Sequence, residues 1–364
     1  ARTISGSLKY DHLVPLRLQK EPKTCPQSQN HVKMLCTLLL FTLAELALAF
    51  PTVERDIPSF VFDGDAPFSV DTATLAAALT CPNGNPTESS PPVLLVHGTA
   101  TTGEDSWSRS YVPALKANGY TGCWVTLPGR AMGDMQISSE YIAYNLHYLS
   151  YLSGGLETAV ISHSQGGPDT QWALQFWPST TTVTSSFIPL APDLSGILLF
   201  DSDLSDVCVG DLCQASLWQQ SNGSDYLEAL HYSNFKAQVP TTTIWTGTDG
   251  VVSPPDENAA LPDATSYSIQ ELCPLRLAIH TQMTTDAAAF ALALDALQNG
   301  GTASISRVRE KSLEICLEIA APDMNEDVAA DLEADLDALI DGFLLGSPRV
   351  SSEPAVMAYA QPGN

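Results

Sequence analysis

The stretch with most chemical content is Thr158-Ala-Val-Ile-Ser-His-Ser-Gln-Gly-Gly167. Thr158 to Ile161 have strand character, and Gln171-Trp172-Ala173-Leu174 reads as helix. A sharp strand-to-helix turn between them would lift the Ser164 hydroxyl clear of a sheet and aim the next backbone N–H groups at one point, which demands small neighbours. Ser164 is therefore the candidate nucleophile. Ser162 stands where the first glycine of a G-x-S-x-G elbow would be. A serine in such a loop also reads as a simple helix cap, so its partners must decide.

A serine hydroxyl attacks an ester only if a histidine takes its proton and a carboxylate fixes that histidine's tautomer. Downstream of Ser164 stand His231 and His280. His231, in Leu227-Glu-Ala-Leu-His231, reads as a helical surface residue. His280 ends the run Leu275-Arg-Leu-Ala-Ile279 and is expected at a strand-to-loop exit, so it is the better base. Asp249, after Thr243-Ile-Trp-Thr-Gly-Thr248, is placed as the orienting acid; Asp193, in Leu190-Ala-Pro-Asp193, is its rival. His97 belongs to a donor loop, and His163 is expected to point its side chain away. The N–H groups of Gln165 and Thr99 are the candidate oxyanion donors, with the Thr99 hydroxyl a third; the loss of one such donor costs about 10²–10³ in turnover. The bland reading of Gly98-Thr99 is a turn.

These residues need a scaffold. Val93-Leu94-Leu95-Val96 is wholly apolar, as a strand buried on both faces should be. Similar runs occupy Cys123–Leu127, Ser186–Ala191 and Thr241–Thr246. Helices are expected over Asp71–Leu79, Tyr111–Asn118, Ser138–Leu152 (capped by Ser138) and Asp286–Leu297. The alternation predicts an α/β chain with a mostly parallel central sheet and helices on both faces. Residues 71–364 read as a single domain behind an extended leader, 50–70. Near the end, Val328, Leu332, Leu336, Leu339 and Phe343 make an apolar stripe on an acidic helix at about 325–345, expected to pack onto the domain with its charged face in water.

Of the 364 residues, 44% are hydrophobic, and the formal net charge is -25 with a pI near 4.3. That charge argues against nucleic acid or an anionic membrane as partner. Residues 34–49 resemble a secretory signal peptide with Ala47-Leu48-Ala49 as cleavage site, too short and too interrupted by Glu45 for a stable membrane span. Residues 1–33 then read as non-native upstream sequence. Six cysteines remain after cleavage, namely Cys81, Cys123, Cys208, Cys213, Cys273 and Cys316, an even set that suggests three disulfides of open pairing. No C-x-x-C pair or His cluster accompanies them, so no metal site is expected. Asn222-Gly223-Ser224 is a glycosylation sequon.

Taken in order, these motifs resemble the fungal lipases typified by Candida antarctica lipase B. The likeness is carried by Leu79-Thr-Cys81, Leu95-Val-His-Gly-Thr-Ala-Thr-Thr-Gly103, Gly119-Tyr-Thr-Gly-Cys-Trp124, Ser162-His-Ser-Gln-Gly-Gly167, Gln171-Trp172, Leu190-Ala-Pro-Asp193, Trp218-Gln-Gln220, Thr248-Asp249 and Cys273-Pro-Leu275 ahead of His280. It spans about residues 58–360. That family also lacks the first elbow glycine. The resemblance implies an α/β-hydrolase fold, Ser164, Asp249 and His280 as catalytic residues, Thr99 and Gln165 as oxyanion donors, and Asp193 and Gln220 lining the pocket. It also implies disulfides Cys81–Cys123 and Cys273–Cys316, which leaves Cys208–Cys213. Departures are Ser352 in place of a family cysteine, a segment before His280 shorter by one residue, Gly250 where an acidic residue is usual, and a divergent stretch from Leu194 to Gln214.

The expectation is a secreted, monomeric serine ester hydrolase of lipase type, acting on an ester or lipid substrate at a lipid–water interface through an acyl-enzyme, with no cofactor. The alternatives are an esterase or polyester hydrolase with little action on insoluble fat and, from another class, a non-catalytic binding protein on a hydrolase scaffold.

Overall fold

Val93 to Val96 offer no polar side chain to water, and in the computed structural model every residue of strand β2 (Pro92–Val96) is buried. The structure describes residues 57–199, 202–203, 212–232, 234–325 and 348–361. Successive side chains of a strand point to opposite faces, and here each face feeds a separate core. Val93 and Leu95 pack with Tyr111, Leu115, Phe290 and Leu292, whereas Leu94 and Val96 pack with Ile142, Leu146, Trp172 and Leu174. The helices that supply these residues, Tyr111–Ala117 and Ala287–Gln298 for one core and Met135–Leu152 and Gly166–Phe176 for the other, thus cover a doubly buried sheet.

With β1 (Leu79–Thr80), β3 (Thr121–Val125), β4 (Thr158–His163), β5 (Thr184–Leu190), β6 (Thr242–Trp245) and β7 (Thr265–Ser268), the sheet order is β1-β3-β2-β4-β5-β6-β7. Only β1 runs antiparallel to its neighbour; every other pairing is parallel. This is the α/β-hydrolase arrangement. Ser162 lies opposite Val96 and Pro189, and Leu190 lies opposite both His163 and Ile244, so β2, β4, β5 and β6 end level with one another. Loops leaving those carboxyl ends therefore converge on one edge, the usual place for a site in an open α/β sheet.

Several local expectations change. The helix expected to start at Ser138 begins at Met135, because the Asp134 carboxylate accepts from the Gln136 N–H, leaving Ser138 inside the helix and buried. The helix expected over 71–79 is Thr72–Ala77, and Leu79–Thr80 is recruited as the edge strand β1. Leu275 to Ile279 form no strand; Thr246 and Thr248 hydroxyls donate to the Ala278 carbonyl in place of a ladder, and His280 opens a short 3-10 helix, His280–Thr284. β7 was not anticipated, since Thr-Ser-Tyr-Ser carries little apolar signal for an edge strand. Residues 57–70 are docked: the Tyr144 hydroxyl donates to the Pro58 carbonyl, and Glu140 accepts from the Ser69 and Val70 N–H groups.

Disulfides Cys81–Cys123 and Cys273–Cys316 are present, the second tying the segment before His280 to helix Ser312–Leu317. Residues 1–49, the start of the leader, Cys208 and nearly all of the expected helix at 325–345 lie outside the described residues.

Candidate active site

Ser164 leaves β4 at φ 55°, in the left-handed region that side chains seldom adopt. Close packing holds the turn there. A Cβ on Gly98 would lie 2.8 Å from the Ser164 Cβ, and one on Gly166 would lie 2.8 Å from the Val96 carbonyl oxygen. Glycine at both positions lets the elbow sit directly on the end of β2. Ser162 fits in place of the first elbow glycine as a fully buried strand residue.

The His280 Nε2 lies 2.9 Å from Ser164 Oγ, and its Nδ1 lies 2.9 Å from Asp249 Oδ2. A carboxylate only accepts, so the proton sits on Nδ1 and the Nε2 lone pair faces the serine hydroxyl. Asp249 is itself fixed: its Oδ1 accepts from the Val251 and Val252 N–H groups at 3.0 and 2.6 Å, and its carbonyl accepts from the His280 N–H at 2.9 Å. All three residues are buried, at 6%, 5% and 3% exposure for Ser164, His280 and Asp249, which strengthens each electrostatic interaction relative to water. The arrangement can generate a serine alkoxide in the act of attack and store its proton on His280.

The other histidines have different work. His163 does not point away into the core alone: its ring packs 4.7 Å from that of His280, and its Nε2–H donates to the His280 carbonyl at 3.0 Å. Burial, with the neighbouring His280, brings its pKa down to about 3, so it stays neutral and holds the His280 backbone. Adjacency to Ser164 in sequence could not show that a segment 117 residues away folds over it. His97 is also kept neutral by burial, down to about 4; its Nε2 accepts from the Leu127 N–H and its Nδ1–H donates to the Gly98 carbonyl, which fixes the loop before Thr99. His231 is exposed on helix Asp225–Tyr232, with Nε2 on the Leu194 carbonyl.

Beside Ser164, the single Thr99 hydroxyl proton can go to Gln165 Oε1 at 2.7 Å or Gln220 Oε1 at 3.0 Å, and Gln220 Nε2 donates to Gln165 Oε1 at 3.0 Å. The main-chain N–H groups of Thr99 and Gln165 have no acceptor among the described residues. Asp193 follows β5 and is fully buried, with neither carboxylate oxygen partnered among the described residues. Burial raises its pKa to about 7, opposed by the positive charge His280 can carry. It thus does not serve as the acid that His280 meets.

The shift at Asp193 has a thermodynamic consequence. Its folded pKa, about 7, lies above the ordinary value of 3.8. Between those values the unfolded chain has lost a proton that the folded chain keeps, so stability is greatest below the lower value and falls as pH rises towards about 7. Replacing Asp193→Asn should flatten that fall by a few kcal/mol in order of magnitude. Denaturant unfolding across this window checks it, and an unchanged slope would contradict the burial of a neutral acid.

No family model matches the chain. It is 32% identical over 327 residues to Lipase B of Pseudozyma antarctica, an alignment covering 88% of this chain and 92% of that protein. Among solved structures, Aspergillus fumigatus lipase B matches with a TM-score of 0.76 at 32% identity, over 82% of this chain and 74% of that one.

Proposed function

This chain belongs to the lipase B family of fungal carboxylic ester hydrolases, and from that premise we propose that it is a secreted lipase that works through Ser164, His280 and Asp249. The reading rests on one observation, the unbroken run from Ser164 Oγ through both ring nitrogens of His280 to Asp249 Oδ2, with 2.9 Å at each step.

Ser164 Oγ attacks the ester carbonyl while His280 Nε2 takes its proton, and Asp249 stabilises the imidazolium. The carbonyl oxygen becomes an oxyanion that receives the N–H groups of Thr99 and Gln165, joined by the Thr99 hydroxyl as it turns from the glutamines. Collapse breaks the bond to the alcohol oxygen, which leaves with the His280 proton. Water then adds to the acyl-enzyme, gives a proton to His280, and the acid departs as Ser164 regains it. Asp193 and Gln220 are polar neighbours of the substrate. The chemistry requires no cofactor.

The catalytic domain is assigned to residues 71–364, acting as a monomer, behind a secretory signal at 34–49 and a leader at 50–70. Cys208 pairs with Cys213. Asn222, exposed in a turn, carries a glycan.

Action on insoluble lipid, over soluble esters alone, is favoured by the surface beside His280. Leu275 and Leu277 are 94% and 79% exposed, and Leu317 and Ile319 are 75% and 69% exposed across the Cys273–Cys316 disulfide, around a cavity of about 620 Å³. Exposed leucines in such density are costly in water and suited to a lipid surface. The net charge of -25 directs this surface to neutral lipid. The test is to assay soluble p-nitrophenyl butyrate and emulsified triolein together. The native chain should hydrolyse both, and the double variant Leu275→Glu, Leu277→Glu should lose about tenfold on the emulsion with little change on the soluble ester. Hydrolysis of neither ester by the native chain would defeat the enzyme reading. Equal loss on both would defeat the interfacial one.

A further inference from the structure

Directly behind the oxyanion donors lies an acid that the catalytic steps above do not use. Asp169, in the first turn of helix Gly166–Phe176, is fully buried, and its Oδ2 accepts from Gln165 Nε2 at 3.2 Å. The other end of the same side-chain amide, Gln165 Oε1, receives the Gln220 Nε2–H at 3.0 Å and stands 2.7 Å from the Thr99 hydroxyl. Gln165 is thereby gripped at both ends, immediately after the nucleophile.

We propose that Asp169 is a positioning residue for ester hydrolysis, acting through the Gln165 side chain to hold the oxyanion donors Thr99 and Gln165 in place before substrate arrives. The inference deepens the ester-hydrolase reading and rests on it.

The direction of one amide decides what Asp169 can do. Were Gln165 reversed, its NH2 group would meet the Gln220 NH2, donor against donor, and its oxygen would face Asp169. An acceptor at Asp169 makes the observed direction the satisfied one, and only that direction offers Oε1 to the Thr99 hydroxyl. A hydroxyl resting on a fixed oxygen beside Ser164 needs one rotation to reach a developing oxyanion, and a side chain anchored four residues along the helix stiffens the Gln165 backbone whose N–H is the other donor. Without the acceptor, a buried NH2 group loses its partner, and the amide must turn or shift to recover one.

Burial disfavours the charged form of Asp169, and an acceptor oxygen remains for Gln165 in either form. Burial raises its pKa well above the ordinary carboxyl value, with Asp193 and Asp134 adding negative charge on the same side, while the hydrogen bond from Gln165 opposes the rise. Tyr226, whose own pKa is raised chiefly by burial, also faces it. Its Oδ1 has no partner among the described residues. The position therefore needs an acceptor and does not need a charge, which fixes what substitutions should do.

In Asp169→Val, kcat on p-nitrophenyl butyrate should fall about tenfold with KM within about twofold, because the donors are needed most in the transition state. A boronic acid, which forms a tetrahedral adduct on the serine, should bind about tenfold more weakly to this variant. Asp169→Asn, which keeps a carbonyl oxygen for Gln165 Nε2, should restore most of both. A role in packing alone would lower the melting temperature without moving kcat or boronate affinity, and would give asparagine no selective rescue. Equal losses in Asp169→Val and Asp169→Asn would mean that the charge matters and would overturn the inference, as would an unchanged kcat in Asp169→Val. If Asp169→Val does not accumulate as folded protein, Asp169→Leu supplies the same comparison. Failure of both to fold beside a normal Asp169→Asn would assign the residue to the core and also overturn it. A native chain inactive on every ester would defeat the ester-hydrolase reading itself, an outcome distinct from all of these.

Discussion

Ser164→Ala is expected to lower turnover of p-nitrophenyl butyrate by about a millionfold, the scale on which loss of a triad serine removes covalent catalysis. The size follows from the absence, among the described residues, of a substitute near His280 Nε2. Ser162 is fully buried within β4, and its Oγ has no hydrogen-bond partner among the described residues. His163 is neutral, with Nε2 committed to the His280 carbonyl. Water could be activated by His280 in the vacated space, but without acyl transfer to the chain. Alanine keeps the Cβ that already occupies φ 55°, so folding and melting temperature should be little altered. A fluorophosphonate should label the native chain at Ser164 with one equivalent and leave the variant unlabelled. Retention of even a tenth of the rate would require another nucleophile and would overturn the proposed mechanism.

The parts of this site that were legible in the sequence are those fixed by local chemistry. The unbroken apolar run Val93 to Val96 reads as a doubly buried strand and the small residues around Ser164 read as a tight turn, and the structure has both, with no room for a side chain at Gly98 or Gly166. Asp249 follows an apolar strand and caps its own loop through Val251 and Val252, a local pattern again. The illegible parts depend on segments meeting from afar. Leu275 to Ile279 alternate like a strand but remain outside the sheet, pinned by threonines 246 and 248 and a disulfide. His163 acquires its role only when the His280 segment folds against it. Asp169 looks like an ordinary acid in the first turn of a helix, where the dipole favours negative charge. Its burial, set by tertiary packing, raises its pKa and leaves Gln165 Nε2 as the donor it meets.

The acid of the proposed relay permits a sharper test than the nucleophile does, because a rival stands close by. In Asp249→Asn, the side-chain oxygen should stay with the Val251 and Val252 N–H groups that Oδ1 now satisfies, since turning the amide round would set its NH2 against two donors. The NH2 must then face His280 Nδ1. A donor there forces Nδ1 to accept, which moves the ring proton to Nε2 and points it at Ser164 Oγ, where a lone pair is needed. The imidazole keeps its place and loses its function as base, so kcat should fall by about 10⁴ at neutral pH with KM little changed. Asp193→Asn makes the same chemical change at the other buried aspartate, but Asp193 has no hydrogen bond to His280 among the described residues and leaves the tautomer alone. Its effect on kcat should stay within about tenfold, in the range of a lost polar contact in the pocket. Measured side by side on one soluble ester, the two variants separate a carboxylate that selects a tautomer from one that only lines the site, and comparable losses in both would reject Asp249 as the sole orienting acid.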